Sequence, residues 1–187
     1  MRIDSRTQRA KKRVRSRQAD SGRSSPGLQA VCVTQRYRAS PQRVFDAWLD
    51  PGQAVRWLFA TASSPAARVT INARTGGSFC FVERRGGSEI EHAGEYLEIA
   101  PPRRLVFTLS EGQGANGSTR VSVEIVPVAS GAEMTLVHER LPREQAERLE
   151  GRWSGMFYGL GALLQASPVA GGGSRLGRSQ RGRTARA

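Results

Sequence analysis

Between Val69 and His138 the apolar residues fall on alternate positions, and this period of two constrains the chain more than any other feature of its 187 residues. Side chains at such spacing share one face of a strand, so each segment carries one face to bury. Val69 and Ile71 make the first of these segments and Phe79 and Phe81 the second; residues 89–99 form the third. Leu105, Phe107 and Leu109 line a fourth, Val121, Val123 and Ile125 a fifth, and Met134, Leu136 and His138 a sixth. Gly76-Gly77, Gly86-Gly87, Pro101-Pro102, the stretch EGQGANGS at 111–118 and Ser130-Gly131 separate them. Short connections rich in turn formers join antiparallel neighbours, so a meander is expected.

The flanks of this run have a different period. Upstream, QAVCVTQRYR at 29–38 reads as a further strand with Val31, Val33 and Tyr37 on one face. Ser40 then suits an N-cap and Pro41 a first helical position, where a missing N–H leaves no bond unmade. Val44, Phe45, Trp48 and Leu49 follow at helical spacing, and Pro51 opens a second short helix expected to continue through Val55, Trp57 and Leu58. Downstream, Leu149, Trp153, Met156, Leu160 and Leu163 form an apolar stripe on a helix from Pro142 to about Gln165, widened by Phe157 and Leu164. Gly151, Gly155 and Gly159 repeat at spacing four on that helix, which fits either close packing against another element or room left for a bound molecule.

Charge sets the domain limits. The formal net charge is +13, but it is concentrated at the ends. Nine basic residues face only Asp4 and Asp20 in residues 1–30, and five arginines face no acid in residues 165–187. Between them, 15 basic residues meet 14 acidic ones. The end segments consist largely of Arg, Ser, Gln and Gly, too little apolar surface to offset an ordering entropy of about 1–2 kcal/mol per residue. Residues 1–27 and 166–187 are therefore expected to be disordered basic tails around one domain at 28–165. Such tails attract nucleic-acid phosphates in a salt-sensitive, sequence-blind way, or are simply solvated extensions. No apolar run of signal-peptide length and no 18 consecutive apolar residues occur, which points to a cytoplasmic protein without a membrane span. Cys32 and Cys80 lack metal-ligand spacing, so neither a disulfide framework nor a metal site is expected, and no residues suggest a cofactor.

The order strand, two short helices, six strands and one long helix, with the phrases it contains, resembles the heat-shock ATPase activator-homologue branch of the START-like (SRPBCC) superfamily. ASPQRVFDAWLDPGQAVRWL at 39–58 is similar to that family's opening helix pair; GGSFCF at 76–81, GEYLEIAPPRRLVFTL at 94–109 and TRVSVEI at 119–125 are similar to its central strands. One departure falls in the last helix, where members commonly carry Gly directly before Trp and here Arg152 stands between Gly151 and Trp153. The resemblance implies an α+β helix-grip (Bet v 1-like) fold: a seven-stranded curved antiparallel sheet around the C-terminal helix, with a cavity between them for a hydrophobic or aromatic small molecule. Phe79, Phe81, Tyr96, Leu105, Phe107, Val123, Leu136, His138, Trp153, Met156 and Phe157 are the expected lining, though such residues also build cores.

Chemistry inside the cavity would need polar groups. His138 should face inward from its strand, and His92 shares a parity with Tyr96; either imidazole is a candidate general base or a satisfied structural histidine. Glu83 and Glu95 are possible carboxylates, but glutamates near strand ends are normally solvated. The sequence holds no nucleophile elbow, phosphate loop, paired-carboxylate spacing or metal cluster. Three functions stay open: a ligand-binding module, a cyclase- or hydratase-like enzyme using His138, His92 or Tyr96, and an interaction protein engaging a chaperone ATPase or, through its tails, nucleic acid.

Overall fold

The computed structural model describes residues 28–60, 68–112 and 117–166. The expected basic tails lie outside the described residues. In chain order the elements are β1 (Leu28–Tyr37), α1 (Pro41–Leu49), α2 (Pro51–Ala54), β2 (Arg68–Ile71), β3 (Ser78–Arg85), β4 (Ser88–Ala100), β5 (Arg104–Glu111), β6 (Thr119–Val128), β7 (Gly131–Pro142) and α3 (Arg143–Ala166). All seven strands form one antiparallel sheet in the order β1-β7-β6-β5-β4-β3-β2. The meander therefore runs from β2 to β7, and β1 closes the far edge.

Local chemistry sets the helix starts. Ser40 caps α1 through its hydroxyl, which accepts the Arg43 N–H at 3.3 Å, and Pro41 follows it. Asp50 ends α1 and caps α2, accepting the Gln53 N–H at 3.0 Å. The second helix stops at Ala54, shorter than its apolar spacing suggested, because residues 55–59 continue as turns that finish with Phe59 at a φ of +53°. Val55 stays half-buried there, while Trp57, Leu58 and Phe59 still reach the core.

The sheet bends where its sequence allows close approach. A Cβ on Gly94 would lie 1.8 Å from the Thr108 carbonyl oxygen and 2.6 Å from the Phe79 ring, so only glycine permits this contact between β4 and β5. A register shift between Tyr96 and Glu98 follows. It explains why apolar residues occupy both parities of β4: His92 and Tyr96 face inward before the shift, Leu97 is exposed, and Ile99 packs on the core after it.

Three tryptophans fill the centre between sheet and helix. Trp48 of α1 meets Trp57 edge-on at 4.8 Å between centroids and lies 6.0 Å from Phe107 and 6.3 Å from Trp153. Each indole N–H has a partner: the Met134 sulfur for Trp48, the Ala47 carbonyl for Trp57 and His138 for Trp153. A large aromatic side chain can be buried this way without leaving a donor unpaired. The α3 helix runs along β1, where the Tyr37 hydroxyl donates to the Phe157 carbonyl at 3.2 Å. The glycine stripe divides. Gly159 approaches Trp57, whereas added Cβ atoms on Gly151 and Gly155 would meet open space at the exposed surface. Close packing therefore does not account for those two.

Candidate ligand-binding site

With its centre filled, the interior opens at one end of α3. A cleft of about 670 Å³ lies there between the helix and the ends of β1, β4, β5, β6 and β7. Leu28, Phe59, Leu109, Leu141, Leu149, Trp153 and Met156 supply its apolar surface. Arg85, Glu111, Arg140, Arg148 and Arg152 supply charge around it.

Two backbone irregularities shape this cleft. Among the described residues only Phe59 and Arg140 are non-glycine residues at positive φ, +53° and +64°, and both line it. Arg140 sits where the β1–β7 register shifts between Gln29 and Val31, so that after Ala132, Met134, Leu136 and His138 the next buried side chain is Leu141. The extra residue turns Leu141 into the cleft and leaves Arg140 exposed at its rim. Left-handed backbone costs a side-chain-bearing residue roughly 1–2 kcal/mol, and such residues cluster at functional sites.

A buried polar network forms one wall. Glu83 is only 4% exposed, against the expectation that a glutamate near a strand end is solvated. Its parity with Phe79 and Phe81 on β3 was the available signal, since period two turns all three inward. Glu83 accepts hydrogen bonds from both Arg85 (2.9 and 3.2 Å) and Arg152, and its Oε2 lies 3.0 Å from His92 Nε2. Phe81 pairs with His92 and Glu83 with Ile90 across β3 and β4, which places the carboxylate and imidazole diagonally on the same face. Arg152 also reaches Glu111 at 3.4 Å and lies over the Phe59 ring, 5.3 Å from its centroid. Phe59 in turn stacks on His92 at 4.1 Å, with 7° between the ring planes.

The charge states follow from these partners. Burial works against ionisation of Glu83, but hydrogen bonds from Arg85 and His92 and the charge of Arg152 outweigh it and hold its carboxyl below the ordinary range. Burial, then the Arg152 charge, lowers the affinity of His92 for a proton, and its Nε2 sits between Glu83 Oε2 at 3.0 Å and the Arg152 guanidinium at 3.1 Å. Two arginines, Arg85 and Arg152, thus balance two carboxylates, Glu83 and Glu111.

His138 belongs to a separate chain of hydrogen bonds. The Trp153 indole can only donate, so His138 Nδ1 accepts from it at 3.1 Å. Nε2 then carries the proton and donates to the Thr119 hydroxyl at 2.7 Å, which donates onward to the Leu109 carbonyl at 2.8 Å. Burial holds the imidazole neutral, with its pKa lowered to about 4. Both ring nitrogens are engaged by protein groups.

Of the expected lining, His138, Trp153 and Met156 border the cleft, and so does His92. Phe79, Phe81, Tyr96, Leu105, Phe107, Val123, Leu136 and Phe157 lie elsewhere, packed into one core cluster. Phe79, for example, lies 5.2 Å from Tyr96 and 5.4 Å from Phe107 between ring centroids. Burial also raises the Tyr96 phenol above its usual range. Glu95 is exposed. Phe59, Arg140 and Arg148 were not legible as cleft residues: Phe59 follows the apolar Trp57-Leu58 without a turn signal, and the other two are arginines in an arginine-rich chain. No group of three or more His, Cys, Asp or Glu side chains able to hold a metal occurs among the described residues, and no described helix is long and apolar enough to cross a membrane.

A curved seven-stranded sheet wrapped on a long C-terminal helix, with two short helices after the first strand, is the helix-grip fold of the START-like superfamily. The chain belongs to the family described as activator of Hsp90 ATPase homolog 1-like protein, whose model matches residues 38–165. Solved structures agree with that fold. A protein from Chromobacterium violaceum is 26% identical with a TM-score of 0.63, over 73% of this chain and 96% of its own. One from Rhizobium loti is 24% identical with a TM-score of 0.63, over 73% and 97%. An uncharacterised one from Rhizobium leguminosarum is 18% identical with a TM-score of 0.66, over 75% and 96%. No curated protein matches the chain.

Proposed function

We propose that this domain binds a small molecule with an apolar body in the cleft at the end of α3. The observation that carries the reading is the cleft itself. Its volume of about 670 Å³ falls within the 300–1,000 Å³ usual for ligand pockets, and seven apolar side chains converge in it beside a few fixed polar groups. Placing the molecule at this end is consistent with the filled centre, where Trp48, Trp57 and Trp153 leave the remaining apolar candidates in contact with one another. Two residues held in left-handed backbone at the same place support a site for which local strain is retained. The rigid network of Glu83, His92, Arg85 and Arg152 would hold the wall in shape before the ligand arrives, limiting the ordering cost of binding.

The test fills the cleft. Leu149 is half-buried on α3 and lines it, so Leu149→Trp should occupy the space at little expense to the exposed side of the helix. The neutral fluorophore N-phenyl-1-naphthylamine should brighten on adding the wild-type chain and bind at least ~10-fold more weakly to the variant, the loss of roughly 1.4 kcal/mol of apolar contact. Equal binding by the two proteins, with the variant folded by circular dichroism, would remove the cleft from consideration.

A further inference from the structure

We propose that the ligand of this cleft carries a carboxylate on its apolar body, and that Arg140 and Arg148 receive it; the inference rests on the cleft being a binding site. Four arginines border the cleft, and their pairing separates them into two kinds. Arg85 and Arg152 are tied to Glu83 and Glu111. Arg140 and Arg148 form no ion pair among the described residues, although Glu139 beside Arg140 pairs with Arg120 and Glu144 stands one helical turn before Arg148. Two positive charges are therefore left at the rim of an apolar cleft whose remaining charges cancel. Such a cleft favours a molecule with an anionic end and an apolar end, the planar guanidinium fork matching the geometry of a carboxylate.

Arg140 adds an independent observation. Its backbone is left-handed at a bulge in β7, a position that glycine fills without strain. The bulge directs Leu141 into the cleft and holds Arg140 at its rim, so one irregularity supplies both an apolar contact and a cation. Folding alone would be served as well by glycine. An arginine there is explained by what its guanidinium meets.

Calorimetric titration of the full chain with octanoate and with octanol, at pH 8 and low salt, tests this. The wild type should bind octanoate about tenfold more tightly than octanol, the scale expected of a charge-assisted hydrogen bond. In the double variant Arg140→Gly, Arg148→Gln the octanoate affinity should fall about tenfold, toward that of octanol. Its melting temperature should not drop, because glycine suits the left-handed position and glutamine is as good a helix former as arginine. Equal affinity of the wild type for the two ligands would overturn the carboxylate assignment while leaving the cleft as a site for neutral molecules. A preference for octanoate that survives in the double variant would also overturn it, placing the anion on other cationic residues. Binding of neither ligand, together with failure of the neutral fluorophore, would remove the cleft reading and this one with it.

Discussion

Replacing His138 by glutamine should flatten the dependence of stability on pH between about 8 and 4.5. In the native chain His138 accepts from Trp153 and donates to Thr119, an arrangement only the neutral imidazole can make, and burial lowers its pKa to about 4. The unfolded chain releases the side chain to an ordinary pKa of about 6.5. Between those values the unfolded state binds the extra proton, so stability is full above about pH 6.5 and is lost as pH falls toward 4. At pH 4.5 nearly every unfolded His138 is protonated and a minority of the native ones are, so the loss relative to pH 8 comes to about 2–3 kcal/mol. That is a large part of the 5–15 kcal/mol typical of a domain. Glutamine can keep both contacts, its carbonyl accepting from the indole and its amide donating to Thr119, but it does not titrate. Urea unfolding at pH 8 and pH 4.5 should therefore show His138→Gln within about 1 kcal/mol of wild type at pH 8, the net worth of one imperfect hydrogen bond. The wild type should lose about 2–3 kcal/mol more than the variant on moving to pH 4.5. His92, also lowered by burial, contributes in the same direction in both proteins and cancels from the comparison. Parallel losses in the two proteins would refute the assignment of a neutral, doubly bonded His138.

Glu83→Ala would leave Arg152 and Arg85 with the exposed Glu111 as their remaining counter-charge, and urea unfolding should register a loss of about 3 kcal/mol or more. A loss below about 1 kcal/mol would place Glu83 among surface ion pairs instead. Two alanine substitutions of glycine should have opposite signs. Gly94→Ala drives a methyl into the Thr108 carbonyl and the Phe79 ring and should lower the melting temperature sharply or prevent folding, whereas Gly155→Ala, exposed on α3 with nothing within 4 Å, should raise stability by up to ~1 kcal/mol. Thermal unfolding that ranks them the other way would contradict the packing described here.

The sequence by itself determined the element order, the antiparallel meander and the family, because these rest on local rules. Alternation fixed the buried face of most strands, though not of β4 with its register shift, and Ser40 with Pro41, then Asp50 with Pro51, fixed where α1 and α2 begin. The sequence also placed His138 on an inward face and His92 on the same parity as Tyr96, without showing what they would meet. Tertiary structure alone decided the site. Whether Trp48, Trp57 and Trp153 surround a cavity or fill it depends on the distances between α1, the turn after α2 and α3, which no local pattern encodes. Glu83 becomes a buried anion only because β4 brings His92 beside it and α3 brings Arg152 from 69 residues away. The bulge at Arg140 arises from the register between β1 and β7, far apart in the chain, and turns what reads as one more arginine into a residue at the rim of an apolar cleft. Periodicity is a property of each segment, whereas a site is a property of the way segments meet.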